Sequence, residues 1–203
     1  MKKIEKRVAY VIISLGILII LFFLVLILRQ YLASKESFFI YNGFEVQKIR
    51  DKSGQFYNIK IFINENNIPS YVNTRYGPKE LEKIPTSFSK DSILKKSQIF
   101  ITIDPYANLS SKTTIAALEI DKFIDNEYLY NISTKSAFTK PYKNQTVKTC
   151  NDVTSYTGII LLTLGKETKI YEDKCIIVQG KAEEDLIRAA DRLALTLLEV
   201  MHP

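Results

Sequence analysis

Between Arg7 and Arg29 the chain runs V-A-Y-V-I-I-S-L-G-I-L-I-I-L-F-F-L-V-L-I-L, without a single charge. A helix rises about 1.5 Å per residue, so these positions would form a rod of about 30 Å, the thickness of a bilayer's hydrocarbon core. Val8–Leu28 is therefore expected to be a transmembrane signal anchor, with a basic cytoplasmic segment at 1–7 and a juxtamembrane linker at 29–37. Lys2, Lys3, Lys6 and Arg7 precede the apolar run, and only Arg29 closely follows it. The positive-inside rule then places residues 38–203 outside the cytoplasm.

From Phe38 the apolar period shortens. F-F-I-Y-N-G-F-E-V-Q reads as a strand turned at Asn42-Gly43, and F-Y-N-I-K-I-F-I-N sets Tyr57, Ile59, Ile61 and Ile63 on one face of a second strand. A third strand is expected near Ser70 to Arg75, followed by a helical turn, Lys79 to Lys83, which Pro85 ends. Gln98 to Ile103 is a compact apolar run suited to a buried strand, and a helix from about Lys112 to Ile124 follows, capped by Ser111. Tyr128 to Ile132 reads as a further strand. Gly158 to Gly165, Thr168 to Tyr171 and Cys175 to Gln179 read as three more. Gly180 breaks the last of these, and Leu186, Ala190, Leu193, Leu197 and Val200 recur at helical spacing to about Met201.

The predicted fold class is α/β (α+β). The plan is an N-terminal transmembrane helix followed by one extracytoplasmic mixed-sheet domain, 38–203, with a β-rich N-terminal portion and a C-terminal helix. No Pro/Gly/Ser-rich linker divides that domain.

Charge changes little once it is located. Five of the 28 cations and one of the 22 anions fall within the first 31 residues, leaving 23 against 21 beyond them. The net +6 is mostly a topology signal, and no nucleic-acid partner is expected. In an oxidising compartment Cys150 and Cys175 are expected to form a disulfide that stabilises the fold by about 3 kcal/mol. Asn108-Leu-Ser, Asn131-Ile-Ser and Asn144-Gln-Thr are N-glycosylation candidates on the same side.

Candidate catalysis is sparse. His202, next to the C-terminus, is the only histidine, which removes the usual Ser, Cys and zinc chemistries. No catalytic residue, metal or cofactor is expected. Ser87/Lys90 and Ser92/Lys95 match S-x-x-K, but 14 serines and 22 lysines in 203 positions give about 1.5 such matches by chance. Glu119 and Asp191 interrupt apolar helices, and Glu119 with Asp121 could approach a cleft. Such acids more often pair with neighbours, here Lys122, Arg188 or Arg192. Gly180 before an acidic helix start reads as a backbone break, since three acids in the first turn would repel an anion. A pilin-like subunit shares the general plan, but Lys6-Arg7 stand where a small-residue processing site would be, and Glu5 lies upstream of the apolar run.

F-I-Y-N-G-F-E-V, G-P-K-E-L-E-K-I-P, A-A-L-E-I and C-I-I-V-Q-G-K-A-E-E-D-L-I-R-A-A-D-R-L look like uncharacterised single-pass, membrane-anchored envelope proteins of small-genome archaea. The last stretch is also similar to segments of archaeal surface-layer proteins. The resemblance implies an archaeal envelope setting and carries no catalytic residue. The expected function is a membrane-tethered, non-enzymatic envelope module at the cell membrane, contacting the lipid bilayer and another envelope protein or a surface glycan. A carboxylate-dependent hydrolase of surface polymers and a pilin-like subunit are the alternatives.

Overall fold

The structure is a computed structural model that describes residues 15–29, 31, 37–52, 54–63 and 68–202. The chain divides into two units, Met1–Phe39 and Ile40–Pro203.

In the first unit residues 15–29 are helical, with the large apolar side chains from Leu15 to Leu28 exposed. The expected transmembrane anchor is corrected here. Among the described residues no helix is long and apolar enough to cross a membrane. Residues 8–14 of the expected span lie outside the described residues.

The expectation of one mixed sheet is also corrected, because the strands form two. The first has the order β1(Phe38–Tyr41)-β2(Phe44–Asp51)-β3(Gly54–Ile63)-β4(Ile68–Thr74). Asn42 and Gly43, at φ 47 and 85, supply the left-handed pair that a two-residue turn between β1 and β2 requires. β3 pairs antiparallel with both β2 and β4, and its period-two pattern buries Tyr57, Ile59 and Ile61 on one face together with Val46 and Val72.

Helix α1 (Pro78–Leu81), strand β5 (Thr86–Ser87) and helix α2 (Asp91–Leu94) lead into β6 (Gln98–Ile103), α3 (Ser111–Ile124) and β7 (Ser133–Phe138). A 3-10 turn at Cys150–Asp152 precedes β8 (Thr157–Leu164), β9 (Lys169–Glu172), β10 (Ile176–Gly180) and α4 (Glu183–Leu197). The second sheet runs β5-β9-β10-β8-β6-β7. Its β7, β6, β8 and β10 are mutually parallel, while β9 runs antiparallel to β10.

One face of this sheet carries Ile99, Ile101, Ile160, Leu162, Ile176 and Val178 into a core with α3 and α4. Ala116, Ala189 and Ala190, all fully buried, are the small residues of this helix layer, where short side chains let backbones approach. Gly180 has a packing reason: a Cβ there would meet Ala182 O and Leu186 N at 2.7 Å, backbone atoms that cannot give way. The opposite face is met by the 3-10 turn at Cys150–Asp152. Phe100, Ala137, Ile159 and Cys175 form its buried patch, with Cys150 and Val153 of the β7–β8 connection packed on it. The Cys150–Cys175 disulfide closes this side.

The segment expected as a strand at Tyr128 to Ile132 is a turn, and the strand begins at Ser133. Asn126 accounts for the difference. Its side-chain oxygen accepts the Tyr128 N–H at 2.9 Å, and its carbonyl accepts the N–H groups of Leu129 and Asn131 at 3.0 and 2.9 Å. Such local bonds compete with sheet ladders.

Candidate functional site

Two places in the second unit gather chemistry of opposite kinds. The first is closed. Glu119 on α3 and Asp191 on α4 are 6% and 0% exposed. Asp191 Oδ2 accepts the Tyr76 N–H at 2.8 Å, and Glu119 accepts from Arg75 Nε at 2.8 Å and from the Lys122 ammonium. Burial raises the Asp191 carboxyl well above its ordinary range, and the Glu119 charge adds to the rise. Both effects favour its protonated form. Its Oδ1 is buried without a hydrogen-bond partner among the described residues, where a charge would be costly. The pair anchors the segment after β4 to the helix layer.

Asp121, expected to approach a cleft with Glu119, instead accepts the Thr134 hydroxyl. Arg188 stacks over the Tyr76 ring at 4.8 Å, while Arg192 donates to the carbonyls of Ile84 and His202 at 3.4 and 2.5 Å. Neither arginine bonds to Asp191. The S-x-x-K candidates also come apart: Ser92 Oγ donates to Glu172 at 2.5 Å, Lys95 pairs with Asp91 at 2.6 Å, and Lys90 pairs with Glu199 at 2.9 Å. Ser87 lies exposed in the short edge strand β5. Among the described residues no group of three or more His, Cys, Asp or Glu side chains could hold a metal ion.

The start of α3 already has its anion. Glu183 Oε2 accepts from Ser110 N, Ser110 Oγ and Thr113 Oγ1 at 2.8 Å each. A carboxylate there complements the helix dipole, so the acidic start of α4 serves a neighbouring helix. Ser110, one residue before the expected cap, accepts the Lys112 N–H. Asn108, Asn131 and Asn144 are all exposed, and Asn108 and Asn131 adopt left-handed φ of 52 and 50.

The second place is open. A groove of about 550 Å³ lies between the end of β3, the 128–130 turn and the end of α4. Phe44, Phe62, Tyr128 and Tyr130 present rings to it, and Leu94 contributes from α2. Phe62 and Tyr128 are 58% and 70% exposed, large aromatic surfaces left in water. The Asn126 bonds described above fix the turn that carries Tyr128 and Tyr130.

Glu199 closes one end of the groove. Helix α4 terminates as the N–H of Glu199 reaches Thr196 O at 3.2 Å and that of Met201 reaches Leu195 O at 3.1 Å. Glu199 itself sits at φ 62, a left-handed position where glycine or asparagine is usual. The Asn42 side chain donates to Val200 O at 3.1 Å, tying the β1–β2 turn to this helix end. The Lys90 ammonium bonded to Glu199 holds that carboxyl below its ordinary range. Across the groove, burial and then the Glu199 charge push the Tyr130 hydroxyl up to about 12. At the meander rim Lys60 pairs with Glu45 at 3.3 Å and lies over the Phe62 ring at 5.7 Å.

These groove residues were not singled out from the sequence, although two signals pointed to them. Phe62 falls out of phase with the Ile59, Ile61, Ile63 alternation, and Glu199 is a charge set between the periodic positions Leu197 and Val200. No protein-family model, curated protein or solved structure matches the chain.

Proposed function

We propose that this chain is a non-enzymatic binding module of the cell envelope, with Ile40–Pro203 on the extracytoplasmic side and the apolar N-terminal segment holding it at the lipid surface. Its partner is another component of the same envelope, a surface protein or a surface glycan. The groove carries this reading: it is the place where large aromatic side chains stay exposed beside paired charges, as a recognition surface requires. A carboxylate-dependent hydrolase needs two acids facing an open cleft, and Glu119 and Asp191 are shut between helices. The Cys150–Cys175 disulfide supports an oxidising compartment, and the exposed asparagines of the three sequons are compatible with one.

A photo-crosslinking residue placed at Tyr128 in intact cells tests this. It is expected to capture envelope material, protein or glycan, while the same residue at Tyr156, 72% exposed but outside the groove, captures little. Equal capture at both positions, or failure of a membrane-impermeant lysine reagent to reach exposed Lys143 in intact cells, would overturn the proposal.

A further inference from the structure

We infer that β4 is the seam of a homodimer, in which the β4 strands of two copies pair antiparallel about a twofold axis at Val72 and join the two meanders into one sheet. This goes beyond the groove reading and does not depend on it.

A sheet edge presents unpaired N–H and C=O groups, and proteins blunt such edges with short strands, charges or a covering segment. Three of the four edges here are blunted in that way. β5 is two residues long and β1 is four. β7 carries the exposed Lys135, and its far end is covered where the Phe138 N–H donates to Thr146 O at 2.9 Å and the Lys148 N–H to Phe138 O at 2.8 Å. β4 differs. It is seven residues long, I-P-S-Y-V-N-T, without a charge, and its Tyr71 is 62% exposed. Each residue from Ile68 to Thr74 is paired with β3, yet among the described residues no backbone group from Ser70 to Asn73 bonds on the other side.

Pro69 fixes which residues offer the open groups. A proline in a paired strand turns its N side away from the ladder, having no N–H to give. Bonding direction alternates along an antiparallel strand, so Tyr71 and Asn73 also turn their N–H and C=O outward, while Ser70, Val72 and Thr74 bond to β3. Two copies pair only with outward residues opposite outward residues, so a twofold axis must pass through a residue. An axis at Val72 sets Tyr71 opposite Asn73 of the second copy, and both such pairs can exchange two N–H···O bonds. Pro69 then falls opposite Arg75, outside the ladder. An axis at Tyr71 would set Pro69 against Asn73 and lose donors. An axis at Asn73 would call on Arg75, which lies past the end of β4 with its side chain held on Glu119.

The side chains suit a second copy as well. No like charges meet at the axis, because β4 has none. Val72 faces Val72, a β-branched pair, and each Tyr71 lies beside an Asn73 amide that can both give and take hydrogen bonds. Such self-complementarity is the mark of an isologous twofold contact. An unrelated strand could meet the same edge, but the centre at Val72 follows from β4 matched with itself.

The two natural cysteines are bonded to each other, so a cysteine introduced into the full chain is its lone thiol. The full chain in detergent micelles is oxidised with diamide, and covalent dimer is followed on non-reducing gels. Val72→Cys is expected to crosslink about tenfold faster than Ser70→Cys, whose two copies would stand about 14 Å apart along the strands, although position 70 is the more exposed. Tyr71→Cys chains mixed with Asn73→Cys chains should crosslink to one another faster than either does to itself. Equal rates across these chains would overturn the inference. Asn73→Pro added to Val72→Cys removes an outward donor, so the crosslinking rate should fall about tenfold while the thermal midpoint holds. A midpoint that drops steeply would show that this N–H serves the fold, and the register drawn from Pro69 would fall with it. Crosslinking of Val72→Cys in intact membranes to a different envelope protein, with no self-dimer, would give the edge to another chain and overturn the inference too. None of these outcomes bears on the groove, which the Tyr128 crosslink tests by itself.

Discussion

Asp191 and Glu199 are eight positions apart at the same end of the chain, yet they are opposite kinds of acid. Asp191 is wholly buried, and burial pushes its carboxyl up; Glu199 has 77% of its side chain in solvent, and Lys90 pulls its carboxyl down. The backbone reverses the pattern: Asp191 sits in regular helix, whereas Glu199 holds a left-handed φ. Inside a helix layer an unpaired charge is costly, so burial favours the neutral, protonated form of the acid. At the exposed helix end the charge costs little, and the strain falls on the main chain instead. A perturbed carboxyl alone thus marks architecture as readily as function, and exposure beside a groove separates the two.

The largest effect should come from removing the buried acid. Asp191→Ala leaves the Tyr76 N–H without its acceptor and opens a small void, and is expected to cost about 2 to 3 kcal/mol in denaturant unfolding. Glu199→Ala measured in the same way should cost less than 1 kcal/mol. Equal losses would erase the distinction between the two acids.

Asp191→Asn gives a smaller and more specific result. The folded carboxyl titrates well above the ordinary 3.8, so the folded state holds a proton that the unfolded chain releases. That stability is complete below 3.8 and is lost as pH rises toward the raised folded value. Asparagine keeps an acceptor for the Tyr76 N–H without any proton to lose. The variant should therefore be at least as stable as the parent at neutral pH, with a flatter pH profile above 4. A steeper profile would show that Asp191 is ionised in the fold.

How much of this was legible beforehand follows from the range of the forces involved. Gln98–Ile103 and the face of Tyr57, Ile59 and Ile61 were readable because burial imposes its period directly on the sequence. The closing helix, read to about Met201, ends at Leu197, because the terminating bonds at Glu199 depend on a φ that no residue type there announces. The 128–132 segment misled because apolar content says strand while one Asn side chain decides for a turn. Partition of the strands into two sheets was not readable, since pairing is set by contacts between positions distant in sequence. Glu119 and Asp191 could be recognised as anomalies in apolar helices, but their partner Arg75 lies 44 residues from Glu119 and could not. The exposed aromatics of the groove come from three separate stretches, and only folding shows that they share it.

The smallest expected effect sharpens the comparison most, because it acts on the acid side of the same pH profile. Lys90 pairs with Glu199 at the surface, so Lys90→Ala should change stability at pH 7 by less than about 0.5 kcal/mol. Its consequence appears instead as the pH falls. The Glu199 carboxyl is held below the ordinary 4.5, and the stability this represents is present above 4.5 and lost as pH drops through the lowered folded value. Solvent around this exposed pair screens most of that contribution, so the acid limb should be shallow. Removing the ammonium lets the carboxyl titrate closer to 4.5, which carbon-detected NMR of the Glu199 carboxyl would follow directly, and the acid limb should flatten further. The limb above 4, which belongs to Asp191, should be untouched. If Lys90→Ala altered the upper limb as well, the groove and the helix layer would share one electrostatic unit, and the contrast between a structural acid and a functional one would not hold.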